Sequence, residues 1–156
     1  MAKSALYKAA VYEQIFQDLG NRNETKFFDN MKDVFMFALA LGFKHNKKEA
    51  IQKTGGEPIS LRIFTDEDEN IFNVIALSHT NDISILLDDD DILEKKYKLM
   101  EEFANGGMGI IADAFCKPVV DESEFKKFIE SYNTENGQSP RNSLEDLLTG
   151  AIDSIM

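Results

Sequence analysis

The stretch NMKDVFMFALALGF, residues Asn30 to Phe43, decides how this chain is read. Every residue from Val34 to Leu41 is apolar, so a helix here has no polar stripe and must be covered by protein on nearly all sides. The run is well short of the roughly 18–20 apolar residues that cross a bilayer, and Lys32 and Asp33 directly precede it. It therefore predicts a buried central helix over about residues 30–42. Asn30 is placed to act as N-cap, with the Asp33 carboxylate near the positive end of the helix dipole. Gly42 is expected to stop the helix in a left-handed conformation, with Phe43 folding back as the hydrophobic contact of a C-cap motif.

Composition bounds what surrounds this helix. A chain of 156 residues is one domain by length and buries about two-thirds of its unfolded surface. Cys116 is the only cysteine, so no intramolecular disulfide forms. The opening MAKSALYKAA has no signal-peptide apolar region, because Lys8, Tyr12 and Glu13 interrupt it, and a cytoplasmic protein is expected. The net charge of -11 argues against a general nucleic-acid binder, which needs Lys and Arg to neutralise phosphates. The charge is uneven: residues 1–62 carry +3 and residues 63–156 carry -14. Solvated helix faces account for such runs, although the two halves are also suited to different partners.

Working outward toward the N-terminus, Leu6, Ala9, Ala10, Tyr12, Ile15, Phe16 and Leu19 recur at helical spacing, predicting a helix over Ser4 to Leu19 that Gly20 and Asn21 stop. Beyond Gly42, residues 44–58 read as the longest loop of the first half, basic at first and then marked by Gly55, Gly56 and Pro58. Ile59 to Phe64 alternates like a half-buried strand. An isolated strand is unstable, so this segment either pairs with another or forms the first turn of the next helix, and the helical or irregular reading is preferred. Thr65 with Asp68 forms a capping box for a helix from about Asp66 to His79.

Ile83 to Leu87 is a short apolar segment before Asp88 to Asp91, four aspartates suited to opening a helix. Ile92, Leu93, Tyr97, Met100, Phe103 and Ala104 form its inner stripe, with Glu94, Lys95, Lys96, Lys98, Glu101 and Glu102 on the outer face. Asn105, Gly106 and Gly107 are expected to end it as a cap. Met108, Ile111 and Phe115 then suggest a further short helix, terminated at Pro118. Asp121 with Glu124 caps a helix carrying Phe125, Phe128, Ile129 and Tyr132. Residues 133–142, NTENGQSPRN, have the composition of a polar linker. After it, Leu144, Leu147, Leu148, Ala151, Ile152 and Ile155 line one stripe of a final amphipathic helix over 143–156. About 14 residues are marginal as an isolated helix, so that stripe has to dock, on its own domain or on another chain. The expected organisation is a helical core domain at 1–132, the linker, and this C-terminal helix.

Motifs that imitate reactive sites resolve mostly into structure. Asp66, Asp68 and Asn70 imitate the opening of a calcium loop, but Ile71 stands where the sharp turn needs glycine and Leu77 where a bidentate acid is needed. Asp88 to Asp91 point in different directions and lack a phosphate-binding glycine loop, so helix capping is the better reading. His45 and His79 have no Cys or His at ligand spacing. Cys116 sits in an apolar approach and reads as a buried thiol at least as well as a reactive one. Gly106 and Gly107 follow a helix and not a strand, so they make no dinucleotide cradle. Lys44, His45, Lys47 and Lys48 are the one candidate anion or nucleic-acid contact, and cations there equally stabilise the negative end of the central helix. The residues call for no catalytic group, metal or cofactor.

Met31 to Phe43, MKDVFMFALALGF, followed by Met100 to Met108, MEEFANGGM, resembles the small accessory family called DNA phosphorothioation-associated protein 4. The resemblance runs over about residues 5–116 and rests on a KD-[LV]-F-M-x-A motif and an EE-[FY]-ANGG motif in that order. It implies association with bacterial gene islands for DNA sulfur modification and phage restriction, and it brings no catalytic residues. The linker and the helix from Ser143 are expected to have no counterpart in the family.

Together these readings predict a mainly α fold, a compact bundle of six or seven helices around the central buried helix, with room for one short strand or hairpin near 59–64. The function expected is that of a non-catalytic accessory subunit. It binds a larger nuclease, ATPase or DNA-processing partner through the Leu144–Ile155 stripe and meets nucleic acid only through that complex, without a membrane role and with a homo-oligomer open. The alternative is an acidic regulator or nucleic-acid mimic that inhibits a DNA-binding partner.

Overall fold

The computed structural model describes residues 3–20, 28–115 and 122–132. Its elements run β1 (Ala5–Leu6), a 3-10 turn (Ala10–Tyr12), α1 (Glu13–Gly20), α2 (Met31–Lys44), β2 (Ile59–Ser60), a 3-10 turn (Leu61–Ile63), α3 (Asp66–Thr80), a 3-10 turn (Ile83–Leu86), α4 (Asp90–Phe115) and α5 (Glu122–Tyr132). The class is mainly α, with five α-helices among the described residues against six or seven expected. The final helix predicted over 143–156, the linker before it and Cys116 lie outside the described residues.

The quoted stretch is α2, and it is buried from Lys32 through Gly42. Asn30 caps it as expected: its side-chain oxygen accepts from the Asp33 N–H at 2.9 Å. The other end departs from the expectation. Gly42 does not stop the helix, which runs on to Lys44; the left-handed residue is Asn46, φ 51°, whose N–H donates to the Phe43 carbonyl at 3.1 Å. Phe43 instead meets Phe103 edge to face at 5.6 Å.

Gly42 is needed for contact. A Cβ at this position would lie 1.9 Å from the carbonyl oxygen of Phe103 on α4, and one at Gly107 would lie 1.8 Å from the carbonyl oxygen of Ala38 on α2. The two helices therefore cross backbone against backbone, in the most extensive pairing between elements among the described residues. This corrects the reading of Asn105, Gly106 and Gly107 as a cap. α4 passes through them without a break, and the two helices expected over 92–104 and 108–115 are one. A glycine inside a helix costs about 1 kcal/mol relative to alanine, and the gain in α2–α4 packing offsets it.

The N-terminal helix is also shorter than expected. The segment expected to open it forms β1 at Ala5–Leu6, which pairs antiparallel with β2 in the register Ala5 to Ser60 and Leu6 to Ile59, and only Glu13–Gly20 forms α1. The alternating Ile59 to Phe64 segment is thus both things at once, a two-residue strand followed by a 3-10 turn. Leu6 and Ile59 are both buried at this pairing, which ties the N-terminus to the core.

α3 begins with the expected capping box. The Asp68 N–H donates to Thr65 Oγ1 at 3.1 Å, and the Thr65 N–H donates to Asp68 Oδ2 at 2.9 Å. It ends at Asn81, left-handed at φ 54°. The aspartate run opens α4 as expected, with Asp89 Oδ1 accepting from the N–H of Asp91 at 3.0 Å. A line of aromatic rings, Phe35, Phe64, Phe72 and Tyr97, joins α2, α3 and α4, and Phe128 brings α5 edge-on to Phe37 at 6.4 Å.

If the crossing is set by backbone contact, Gly107→Ala destabilises the fold by about 2–3 kcal/mol despite its better helix propensity, because neither carbonyl can withdraw. Gly109→Ala, whose Cβ would meet only the ends of flexible side chains at 3.1 Å and beyond, stays within about 1 kcal/mol of the parent. Urea denaturation of the two variants measures the contrast, and equal midpoints would refute it.

Candidate functional site

The loop-like segment 44–58 is held along α4 by its own backbone. The Lys47 N–H donates to the Gly42 carbonyl at 2.7 Å and the Glu49 N–H to the Glu102 carbonyl at 3.0 Å. Asn105 Nδ2 donates to the carbonyls of Glu49 at 3.0 Å and Ala50 at 3.3 Å. Farther on, Ala10 N–H donates to Lys53 and Gly55 N–H to Lys8. Gly106 is required at this seam, since a Cβ there would lie 2.1 Å from the Lys47 carbonyl oxygen.

The four candidate contact residues fall on this ordered turn. Lys44 ends α2 and is exposed, His45 is the exposed C-cap, Lys47 is half-buried against α4 and Lys48 is exposed. Across from them stands His79 of α3, whose ring lies edge-on to Phe103 at 5.3 Å. Burial lowers the His79 pKa from its ordinary value, and the positive charge of Lys48 lowers it further. The structure thus adds His79 to the basic turn, a proximity between segments that spacing along the chain does not signal. Glu49 and Glu102 flank the same turn, so its positive field is local.

Beside this turn, a groove of about 310 Å³ is lined by Lys3 and Tyr7 on one side, Ile51 and Thr54 on another, and Lys98 and Glu101 of α4. Glu101 was expected on the outer face of α4; it is buried instead. Its Oε2 accepts from the Tyr7 N–H at 2.6 Å and lies 3.0 Å from Lys3 Nζ. Burial pushes its pKa above the usual glutamate value, outweighing those two partners. Lys96, also assigned to the outer face, is buried too and donates to Asn73 Oδ1 at 2.9 Å. Both depend on partners distant in sequence, which helical periodicity alone does not carry.

Of the calcium-like residues, Asp68 is occupied by structural work. Asp68 Oδ2 takes the Thr65 N–H and also an ion pair with buried Lys32 at 2.8 Å. Among the described residues, no group of three or more His, Cys, Asp and Glu side chains is arranged to hold a metal ion. None of the described helices is long and apolar enough to cross a membrane. The partner-binding stripe Leu144, Leu147, Leu148, Ala151, Ile152 and Ile155 lies outside the described residues.

These features define a small, mainly α-helical protein whose polar side chains chiefly pin loops and caps to a glycine-packed helix pair. The chain belongs to the family described as DNA sulphur modification system-associated protein 4, which matches residues 7–147. The match bears out the resemblance carried by the two motifs and corrects its extent: it continues past residue 116, through residues 133–142 and as far as Leu147. No curated protein and no solved structure matches the chain.

Two measurements check the electrostatics of this face. Replacing Lys48 with Ala is expected to raise the His79 pKa part of the way back, because the burial contribution remains; NMR titration of the ring resonances reads this directly. For Glu101, the folded state keeps its proton at pH values where the unfolded chain has lost it. Its contribution to stability is therefore fullest below about 4.5 and falls as pH rises through the raised folded value. Glu101→Gln still accepts from Tyr7, so its stability relative to the parent is expected to improve as pH increases from 4.5. A pH-independent difference in urea midpoint would show that the carboxyl is well solvated.

Proposed function

We propose that this protein is a non-catalytic accessory subunit of a bacterial DNA sulfur-modification and anti-phage defence system, acting by binding a larger nuclease, ATPase or DNA-processing subunit. The family match over residues 7–147 is the observation that carries this reading, since its description is one of association with a modification system. The basic turn, with Lys44, His45 and Lys48 exposed and Lys47 half-buried, gives the assembled complex a local contact for nucleic acid, in a chain whose net charge of -11 disfavours binding it alone.

The docking element proposed is the apolar stripe of Leu144, Leu147, Leu148, Ala151, Ile152 and Ile155. Co-expression with the other components of the system, followed by affinity purification, tests it. Leu147→Asp together with Leu148→Asp is expected to remove the co-purifying subunit while leaving far-UV circular dichroism and the urea midpoint unchanged. Undiminished complex formation by that variant would refute the stripe as the docking element.

The charge of -14 over residues 63–156 supports a second reading, an acidic regulator or nucleic-acid mimic that occupies a DNA-binding partner. The two differ in salt response. A mimic loses affinity steeply as ionic strength rises, and an apolar helix contact is nearly insensitive.

A further inference from the structure

The corner between α3 and α4 leaves apolar side chains in water. In a 3-10 turn residues three apart lie one above the other, so Ile83 and Leu86 share a face while Ile85 turns inward and is buried. Ile83 is 77% exposed, Leu86 41% and Leu87, next in the chain, 56%. Leu77, near the end of the helix that packs against this turn, is exposed as well. Scattered apolar residues on a surface are ordinary, but three within five positions on one short turn form a patch.

The border of this patch is strongly negative. Asp82 precedes it and Asp88 to Asp91 follow, all exposed. From Asp82 to Lys95 the chain holds six carboxylates and one lysine, a local charge of -5. Capping explains part of the run: Asp82 accepts from the Ser84 N–H at 3.0 Å and Asp89 from the Asp91 N–H at 3.0 Å. The described contacts give Asp88, Asp90 and Asp91 no such hydrogen bond, yet their charges add to the same rim.

That charge selects among occupants. Residues 143–156 carry Glu145, Asp146 and Asp153 and no Lys or Arg, so the chain's own apolar stripe would bring like charge to the rim. A second copy of this corner would do the same, and nucleic acid would be repelled. A segment with apolar side chains on one face and Lys or Arg beside them matches on both counts. We infer that the Ile83 to Asp91 corner docks a basic amphipathic segment of a protein partner, a second interface that rests on the reading of the chain as an accessory subunit.

The test uses the isotope-labelled full chain, titrated with a synthetic amphipathic helix of Leu and Lys and with a Leu and Glu helix of the same apolar stripe. The Leu/Lys helix is expected to move the amide signals of residues 77–91, and the Leu/Glu helix to leave them in place. Ile83→Ser with Leu87→Ser should raise the Kd of the Leu/Lys helix at least about tenfold, and Asp88→Asn with Asp90→Asn and Asp91→Asn about threefold or more. The altered residues are exposed, so the variants keep the core, and circular dichroism checks this. The inference is overturned by shifts centred elsewhere, by equal response to both helices, or by no response. It is also overturned if Leu147→Asp with Leu148→Asp moves the 77–91 signals without any added helix, which makes the chain's own end the occupant, or if those signals move with protein concentration, which makes it a second copy. Its failure is separable from that of the accessory role. A complex with the system's components retained by Ile83→Ser with Leu87→Ser removes the corner alone, whereas no complex with the unaltered chain removes both.

Discussion

The contact on which the rest of the structure depends is the one between the backbones of α2 and α4, where Gly42 faces the Phe103 carbonyl and Gly107 faces that of Ala38. Helix separation is set by the side chains at the crossing, and here there are none. On the two helices brought this close, Phe35, Phe37, Met100 and Phe103 are each essentially inaccessible to solvent. The same approach fixes where α2 ends. Once Gly42 is held against α4, the chain leaving Lys44 has to turn along that helix, and the hydrogen bonds from Lys47 and Glu49 follow.

Charged groups inside such a core persist only with partners. Lys32 is paired with Asp68 at 2.8 Å, and Lys8 lies 2.9 Å from Glu13 and over the ring of Phe16. Each pair links separate parts of the chain: Lys32 joins the start of α2 to the cap of α3, and Lys8 joins the segment after β1 to α1. Removing one partner would leave the other charged and poorly solvated, a larger penalty than the net gain of the pair. These ion pairs therefore report on register between elements more than on stability.

Legibility in the sequence followed the range of the interaction. Asn30, Thr65 with Asp68, and the aspartates before α4 are capping signals that act within three or four residues, and each forms where expected. The all-apolar run of α2 announced its burial for the same reason. The misread elements are those decided by a distant segment. Gly106 and Gly107 have the local chemistry of a helix stop, and only α2 and Lys47 against them explain a continuous helix. β1 looked helical because its strand partner is more than fifty residues away in the chain. Of the candidate site, the basic turn was visible as a cluster of adjacent residues, whereas Glu101 and His79 join it through packing that no local spacing records.

The pairing of β1 with β2 has a consequence for the order of events during synthesis. Residues 5 and 6 leave the ribosome well before their strand partners, residues 59 and 60, and before Glu101, whose carboxylate accepts from Tyr7. The β1 segment must therefore wait, with Leu6 uncovered, until residue 60 has emerged, and its link to Glu101 closes only when about half of α4 has followed. A strand made early is thus secured late, and the nascent chain presents a short unpaired strand edge until β2 arrives.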